Sequence, residues 1–336
     1  GAKAKTIQKY LGKNVLVRAS IGHVQDLPTK GKDGSKALWS HTDTSLPDPP
    51  WDWTERAEKT VKRIISDSRR KKVDRVLIAT DPDREGEFIA WRLAELLSEF
   101  GDIQRITFNE ITETAIKEAL QAAGTVDMNL VDAAKVRRFM DRLIGYRTSR
   151  FARSWSLSSM GRVQTPTLGF VVKREKEIRK FIPTPYWAVQ AIASGIDFRV
   201  RFHEKDDPLV WKDEKGKIDV HRTNDSNLAN KAYEYLNLES QLTAKTVSLN
   251  DYKRRPKPPF TTDTLLQASG SKYNWRPSNT MRIAQGLYEA GHITYMRTDS
   301  TRTSASSRDK AKNFITSKWG SEFIGKGSIG GKPKPG

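Results

Sequence analysis

The run Arg75-Val-Leu-Ile-Ala-Thr80 passes without a break into Asp81-Pro-Asp-Arg-Glu-Gly-Glu87, and apolar residues then return at helical spacing at Ile89, Leu93, Leu96 and Phe100. A short apolar run bounded by polar residues is a buried strand. Strands that alternate with helices imply a parallel sheet, whose ligands lie at the carboxyl ends of its strands. Asp81 and Asp83 stand at such an end. A tight turn there lets alternate side chains converge. Asp81, Asp83 and Glu85 are therefore candidates to hold a hard divalent cation such as Mg2+, which prefers carboxylate oxygens and keeps several waters. The same residues also read as an acidic helix N-terminus, where carboxylates meet the positive end of the helix dipole. Gly86 is where the backbone could approach a phosphate closely.

The α/β pattern extends on both sides. Residues 1–10 predict a helix and residues 14–20 a short buried strand. Residues 29–53 are rich in Gly, Pro, Ser and Asp and predict a loop, with Trp51 and Trp53 at its end as anchors of the loop or, as the alternative, platforms for base stacking. Arg105-Ile-Thr-Phe108 predicts another strand, and Thr112 an N-cap for a helix through Leu120. Residues 127–147 predict a long helix with Arg137 and Asp141 four apart on one face. Residues 187–193 and 198–202 predict a β-hairpin or a pair of adjacent strands, and residues 247–249 a further strand. Residues 254–259 form a proline-stiffened linker. Helices are expected over 262–273 and 278–290, the second closed by Gly291 just beyond its end. The Gly/Lys/Pro-rich tail from Gly325 is expected to be poorly ordered.

Charge narrows the partners. The 336 residues hold 59 Lys and Arg against 40 Asp and Glu, a formal charge of +19. A surplus of this size favours a polyanion, either nucleic acid or an anionic membrane surface. No run reaches the ~18–20 apolar residues of a membrane span, so nucleic acid is the better reading. Between Tyr252 and Gly336 there are 16 Lys and Arg and 5 Asp and Glu, and this basic stretch carries Gly291-His-Ile-Thr-Tyr-Met-Arg-Thr-Asp-Ser300. With no cysteine, disulfides and cysteine-ligated zinc are excluded for this chain. A cytoplasmic, chromosome-associated location and a monomeric state are expected.

Within that stretch Tyr295 is a candidate nucleophile. A phenol with a pKa near ~10 needs help to attack. Arg297 could supply it by stabilising both the phenolate and the charge that develops on phosphoryl oxygens. The run Pro259-Phe-Thr-Thr, then Met281-Arg-Ile-Ala-Gln, then Ile293-Thr-Tyr-Met-Arg-Thr-Asp-Ser resembles the active-site domain of type IA DNA topoisomerases. Asp81-Pro-Asp-Arg-Glu resembles the Toprim fold that these enzymes share with bacterial-type primases and some nucleases. Ile21-Gly-His-Val-Gln-Asp-Leu-Pro28, Arg105-Ile-Thr-Phe-Asn-Glu-Ile-Thr112, Arg137-Arg-Phe-Met-Asp-Arg-Leu-Ile-Gly-Tyr146 and Met160-Gly-Arg-Val-Gln-Thr-Pro166 extend the resemblance over nearly the whole chain.

The resemblance implies a multidomain α/β and α+β protein. It places a Toprim domain at 1–126, part of a helical cleft domain at 127–182, part of a β-rich arch domain at 183–255 and the tyrosine domain at 256–336. It implies that Tyr295 forms a 5′-phosphotyrosyl link, that Arg297 positions the scissile phosphate, and that Asp81, Asp83 and Glu85 hold Mg2+. Lys3 would neutralise the transition state. Arg137 and Asp141 match a pair near the bound strand, with a plain surface ion pair as the alternative. His23 and Arg105 either bind DNA or brace the sheet. Gly161, Arg162 and Gln164 line a strand-binding groove or form a packing turn, and Gln267 is a weaker candidate for DNA contact. His292 is given no catalytic role.

The expected activity is ATP-independent cleavage, strand passage and religation on single-stranded or negatively supercoiled DNA. The alternatives are a Toprim nuclease or primase that lacks a covalent tyrosine, and a non-catalytic DNA-binding remnant. The family's first strand ends in a glutamate ahead of Ser-Pro-Ala-Lys, and a His-Glu-Ala-Ile-Arg segment follows its tyrosine domain. Neither is in this sequence, so a fragment that binds DNA and metal but cleaves poorly is expected.

Overall fold

The computed structural model describes residues 1–28, 51–239, 241–252 and 257–325. Most of the expected loop at 29–53, part of the proline linker and nearly all of the basic tail lie outside the described residues. The chain divides into two compact units, Gly1–Arg162 with Pro256–Gly336, and Val163–Arg255.

In the first unit, helix α1 (Ala2–Leu11) is followed by an irregular segment and a short antiparallel pair, β1 (Gln25–Asp26) with β2 (Asp52–Trp53). Then come α2 (Ala57–Arg70), β3 (Arg75–Ile78), α3 (Arg84–Leu96), β4 (Asp102–Arg105), α4 (Glu113–Gln121) and the long α5 (Met128–Ser154). β3 and β4 pair in parallel, with Arg75 opposite Asp102 and Ile78 opposite Arg105. The second strand thus ends at Arg105, where the sequence pattern had it begin. Ile106 and Phe108 are buried just beyond the ladder, so their apolar character reflects the core and not strand pairing.

The expected strand at 14–20 is absent. The Gln8 side chain donates to the carbonyl of Val15 at 2.9 Å and accepts from Val17 N–H at 3.1 Å. A side chain of α1 therefore satisfies polar groups that a ladder would otherwise have to pair. Trp51 does anchor the end of the loop. Its ring packs against Phe88, Trp91 and Phe139 at centroid distances of 5.3, 5.7 and 6.3 Å.

Two local signals act as predicted. Thr112 accepts a hydrogen bond from Ala115 N–H at 3.3 Å and starts α4. Past the second unit, α8 (Thr262–Tyr273) and α9 (Pro277–Glu289) return to the first. Gly291, at φ +81°, closes α9, with His292 N–H bonding back to Leu287 O at 2.9 Å. Only glycine fits here, because a Cβ would stand 2.5 Å from the carbonyl oxygen of Ile111. α10 (Ala305–Trp319) buries none of its residues.

One core joins the ends of the chain. Ile7 of α1, Ile106 and Phe108 after β4, Ile116 of α4, Tyr288 of α9, and Tyr295 and Met296 pack together. Each large side chain buried this way contributes roughly 1.5–3 kcal/mol. A second cluster lies between α2, α3 and β3, around Val61, Ile78 and Leu93.

The second unit holds α6 (Gln164–Lys180), the hairpin β5 (Gln190–Ala193) with β6 (Ile196–Arg199), and α7 (Ser226–Leu238). Ser194 and Gly195 turn the hairpin with φ of 50° and 75°, the positive values that a two-residue turn of this hand requires. Isolated bridges link Trp187 with Thr223 and Lys212 with Ile218. The expected strand at 247–249 is not formed, and Leu249 is 98% exposed there. Its apolar residues have neither a partner strand nor a core. No helix among the described residues is long and apolar enough to cross a membrane.

Candidate active site

The turn after β3 is set by its own backbone. Asp83 caps α3, its Oδ1 accepting from Gly86 N–H at 2.8 Å, and Thr80 Oγ donates to Gly86 O at 2.6 Å. A Cβ on Gly86 would lie 2.0 Å from the carbonyl oxygen of Asp81. The glycine is needed for this fold-back on Asp81, whereas the sequence had assigned it to the approach of a phosphate.

Tyr295 reaches this turn from 212 positions away, its hydroxyl donating to Asp83 Oδ2. Three bonds fix the segment around it. Tyr295 N–H donates to Asn109 O at 2.7 Å, Thr262 N–H to Thr298 O at 2.9 Å, and Thr262 Oγ to Met296 O at 2.8 Å. The Tyr295 ring meets Tyr288 edge to face at 5.2 Å. Arg297 stands 3.9 Å from the same Asp83 oxygen with its side chain 56% exposed, open to a further anion.

Burial pushes the Tyr295 phenol well above its ordinary pKa. The bond to Asp83 and the charges of Asp83 and Asp81 push it further, and Arg297 opposes them. The sequence assigned Arg297 the activating role; its direction is right, but burial and the carboxylates outweigh it. The phenol is held protonated with a carboxylate already in place to receive the proton.

Lys3 donates to Asp81 Oδ1 at 2.7 Å, and its ammonium lies 5.2 Å from the centre of the Phe108 ring. Burial lowers its pKa, against the pull of Asp81. Lys3 on Asp81, and Tyr295 and Arg297 on Asp83, thus meet carboxylates two positions apart on one turn.

Glu85 is engaged elsewhere. Its Oε2 accepts from Arg138 at 2.6 Å and lies 3.2 Å from His23 Nε2. The bond from His23, with Arg138 adding to it, lowers its pKa to about 2. The expected convergence of three carboxylates is therefore not found. Among the described residues no group of three acidic, His or Cys side chains is placed to hold a metal ion, because each carboxylate has drawn a different cation. The donor chemistry still suits a hard cation, since Asp81 Oδ2 and Glu85 Oε1 accept no hydrogen bond from the described residues.

The other candidates separate by burial. Arg105 is 4% exposed. It donates to Glu87 at 2.8 Å and to the carbonyls of Ile78, Thr80, Ile106 and Asp81. Of its two readings, DNA contact or brace, the structure carries the brace, for its donors are turned inward onto the sheet. His23 lies beside Glu85 and Arg138. Arg137 and Asp141 are 3.9 Å apart on the exposed face of α5, and Arg162 reaches the same Asp141. Gly161 lies just before the turn at Arg162 and Val163, Gln164 is exposed at the start of α6, and Gln267 is exposed on α8.

Three residues of the site were missed by sequence reasoning. Tyr288 is fully buried and donates to Phe108 O at 3.2 Å; its helical spacing from Ala284 signals a buried face and nothing more. Glu87 is the buried partner of Arg105 and also accepts from Asp127 N–H at 2.9 Å. Arg138 neighbours the assigned Arg137, and only its place on the inner face of α5 distinguishes it.

The chain is similar to known proteins along nearly its whole length. The Toprim domain family matches residues 1–111 and a family described as DNA topoisomerase matches residues 125–334. DNA topoisomerase 1 of Pseudomonas aeruginosa is 38% identical over 363 residues, covering 98% of this chain and 40% of that protein. The structure of full-length topoisomerase I from Thermotoga maritima, in a monoclinic crystal form, superposes with a TM-score of 0.73 at 34% identity, covering 96% of this chain and 52% of that one. The chain thus spans about half, or less, of the length of these relatives.

Proposed function

This chain belongs to the type IA DNA topoisomerase family, and on that premise we propose that Tyr295 cleaves one DNA strand and holds its 5′ end while another strand passes, before the break is resealed. The observation that carries this reading is the bond from the Tyr295 hydroxyl to Asp83, with Arg297 beside the same carboxylate. In the proposed step the Tyr295 Oη–phosphorus bond forms as the P–O3′ bond breaks. The phenolic proton passes to Asp83. The departing 3′ oxygen takes its proton from the Lys3 ammonium, whose lowered pKa makes it a readier donor. Arg297 stabilises the phosphoryl oxygens. The phosphotyrosine conserves the energy of the broken bond, so resealing needs no ATP.

Asp81, Asp83 and Glu85 are the residues that would hold Mg2+, once the cations now paired with them shift. When bound it would neutralise charge on the phosphate. The substrate is single-stranded or negatively supercoiled DNA, where the backbone is free to enter the site, and the proposed state is a cytoplasmic, chromosome-associated monomer. Arg137, Asp141, Gly161, Arg162, Gln164 and Gln267 are proposed to contact the strand, with His23 beside them.

The test mixes the protein with Mg2+ and labelled single-stranded DNA, denatures it, and looks for label on the protein. Tyr295→Phe should abolish the adduct while DNA affinity survives. Arg297→Ala should reduce cleavage by ~100–1000-fold, the usual loss when one donor is removed from a preorganised site. An adduct at full yield in Tyr295→Phe would assign the nucleophile to another residue and sink the proposal.

A further inference from the structure

Arg138 occupies an unusual position for a cation. Its side chain is 15% exposed, and its two terminal nitrogens each bond a different carboxylate, Nη1 to Asp26 and Nη2 to Glu85, both at 2.6 Å. Nη2 also lies 3.0 Å from His23 Nε2, and the guanidinium covers the Phe88 ring at 4.5 Å. Yet its Nε is buried without a hydrogen-bond partner among the described residues. A guanidinium held by two acids and one ring, with a donor left over, is a charge that the site has gathered in but not fully satisfied.

The consequence falls on Glu85. Asp81 and Asp83 face Lys3, Tyr295 and Arg297, whereas the bonded oxygen of Glu85 is turned to Arg138 and His23. A divalent cation drawn to the other oxygen of Glu85 meets the Arg138 charge across the same carboxylate, and two like charges that share one counter-ion weaken each other's hold on it.

We propose that Arg138 is a built-in counter-ion at Glu85 whose charge opposes a divalent cation on the other oxygen of that carboxylate, so that cation binding and strand binding promote one another. This deepens the topoisomerase reading and rests on it. The competing anion is the phosphodiester backbone, whose oxygens supply the acceptor chemistry that Nε lacks and a second partner for a guanidinium fork. With the backbone bound, Arg138 leaves Glu85 and the cation site opens. With the cation bound, Arg138 is set free for the backbone. Reciprocity follows from linkage.

Calorimetric titration of Mg2+ tests this in a Tyr295→Phe background, where no strand is cut. Arg138→Gln should tighten Mg2+ binding on the order of tenfold, within the ~5–150-fold range of ordinary site couplings. Arg138→Lys, which keeps the charge but lacks the planar fork needed to bridge Asp26 and Glu85, should fall between. A short oligothymidine should tighten Mg2+ binding to the Arg138 protein by a similar factor and leave Arg138→Gln unchanged. Arg142→Gln removes a positive charge one turn along α5, where Arg142 bonds Pro28 O, and controls for charge alone; its expected change is under about twofold. Circular dichroism checks that each variant is folded. Equal tightening in Arg142→Gln and Arg138→Gln overturns the counter-ion role. So does unchanged affinity in Arg138→Gln and Arg138→Lys together with loss of Mg2+ binding in Asp81→Asn, and that result leaves the cation site standing. No Mg2+ binding in any form overturns both the counter-ion and the cation site.

Discussion

Arg105 and His203 are both buried and both enclosed by acceptors, but they sit in regions held together over different distances. Arg105 belongs to Gly1–Arg162 with Pro256–Gly336. There Lys3 meets Asp81 across 78 positions and Tyr295 meets Asp83 across 212. The core of that region is shared by the two ends of the chain. His203 belongs to Val163–Arg255, and its ring bonds Asp207 at 2.9 Å and Thr223 at 3.2 Å, no more than 20 positions away. In that second region α6 buries none of its residues and Trp211 Nε1 is buried without a partner among the described residues. In the first region Tyr295, the proposed nucleophile, is itself a core residue, so the proposed chemistry would require that core to form. The second is secured by short-range bonds around a few buried groups, the signature of lower local stability.

The strongest way to break this contrast is Arg105→Ala. It leaves Glu87 buried without its counter-ion and should cost roughly 3–5 kcal/mol, read as a fall in the melting transition of the whole first region. A loss confined to a few amides around β4 would show that the brace is local. Thr223→Val conserves volume but strips the His203 ring of one partner and Asp225 N–H of its acceptor. It should cost ~1–3 kcal/mol, visible as faster hydrogen exchange over 187–225 with no change at Tyr295. A change at Tyr295 would contradict the separation.

Acid should weaken both regions, by a smaller amount. The bond from Arg18, helped by the charges of Arg70 and Arg63, holds the Asp67 carboxyl below its ordinary pKa. Leu209 N–H and then His203 do the same for Asp207. A depressed carboxylate contributes stability above its unfolded value, near ~3.9, and loses it as pH falls through the folded value. Melting temperature should therefore drop below about pH 4, and Asp67→Asn and Asp207→Asn should each flatten the drop in their own region. An unchanged acid profile in both variants would show that other carboxylates carry the effect. The smallest change is expected from Phe170→Ser on α6. Phe170 is 73% exposed, so the cost should stay within about 0.5 kcal/mol; a larger loss would mean that this ring has a partner.

Where the sequence was legible, its signals were local. Thr112 caps α4 and Gly291 closes α9 because a cap needs only the next few backbone groups. The turn at Ser194 and Gly195 formed for the same reason. Where it failed, an apolar run was separated from its role. Residues 14–20 and 247–249 have strand composition but no ladder, and Ile106 and Phe108 serve a core beyond the end of β4. A strand is defined by its neighbour, which a local pattern does not contain. The candidate site divides along the same line. Tyr295, Arg297, Lys3 and the acidic turn were named from their motifs, while Tyr288, Glu87 and Arg138 were not, since helical spacing marks a buried face without saying what it faces.

The amino-acid sequence by itself determined the strand–turn–helix that carries Asp81, Asp83 and Glu85, the basic stretch around Tyr295, and the family to which these motifs belong. Those are properties of short segments and of composition. Only the tertiary structure decided how the charges pair: Asp83 with Tyr295, Asp81 with Lys3, Glu85 with Arg138, and Arg105 turned inward to Glu87. The reason is physical. A charged side chain takes whichever partner the packed core brings within about 3 Å, and that is settled by segments up to 212 positions apart.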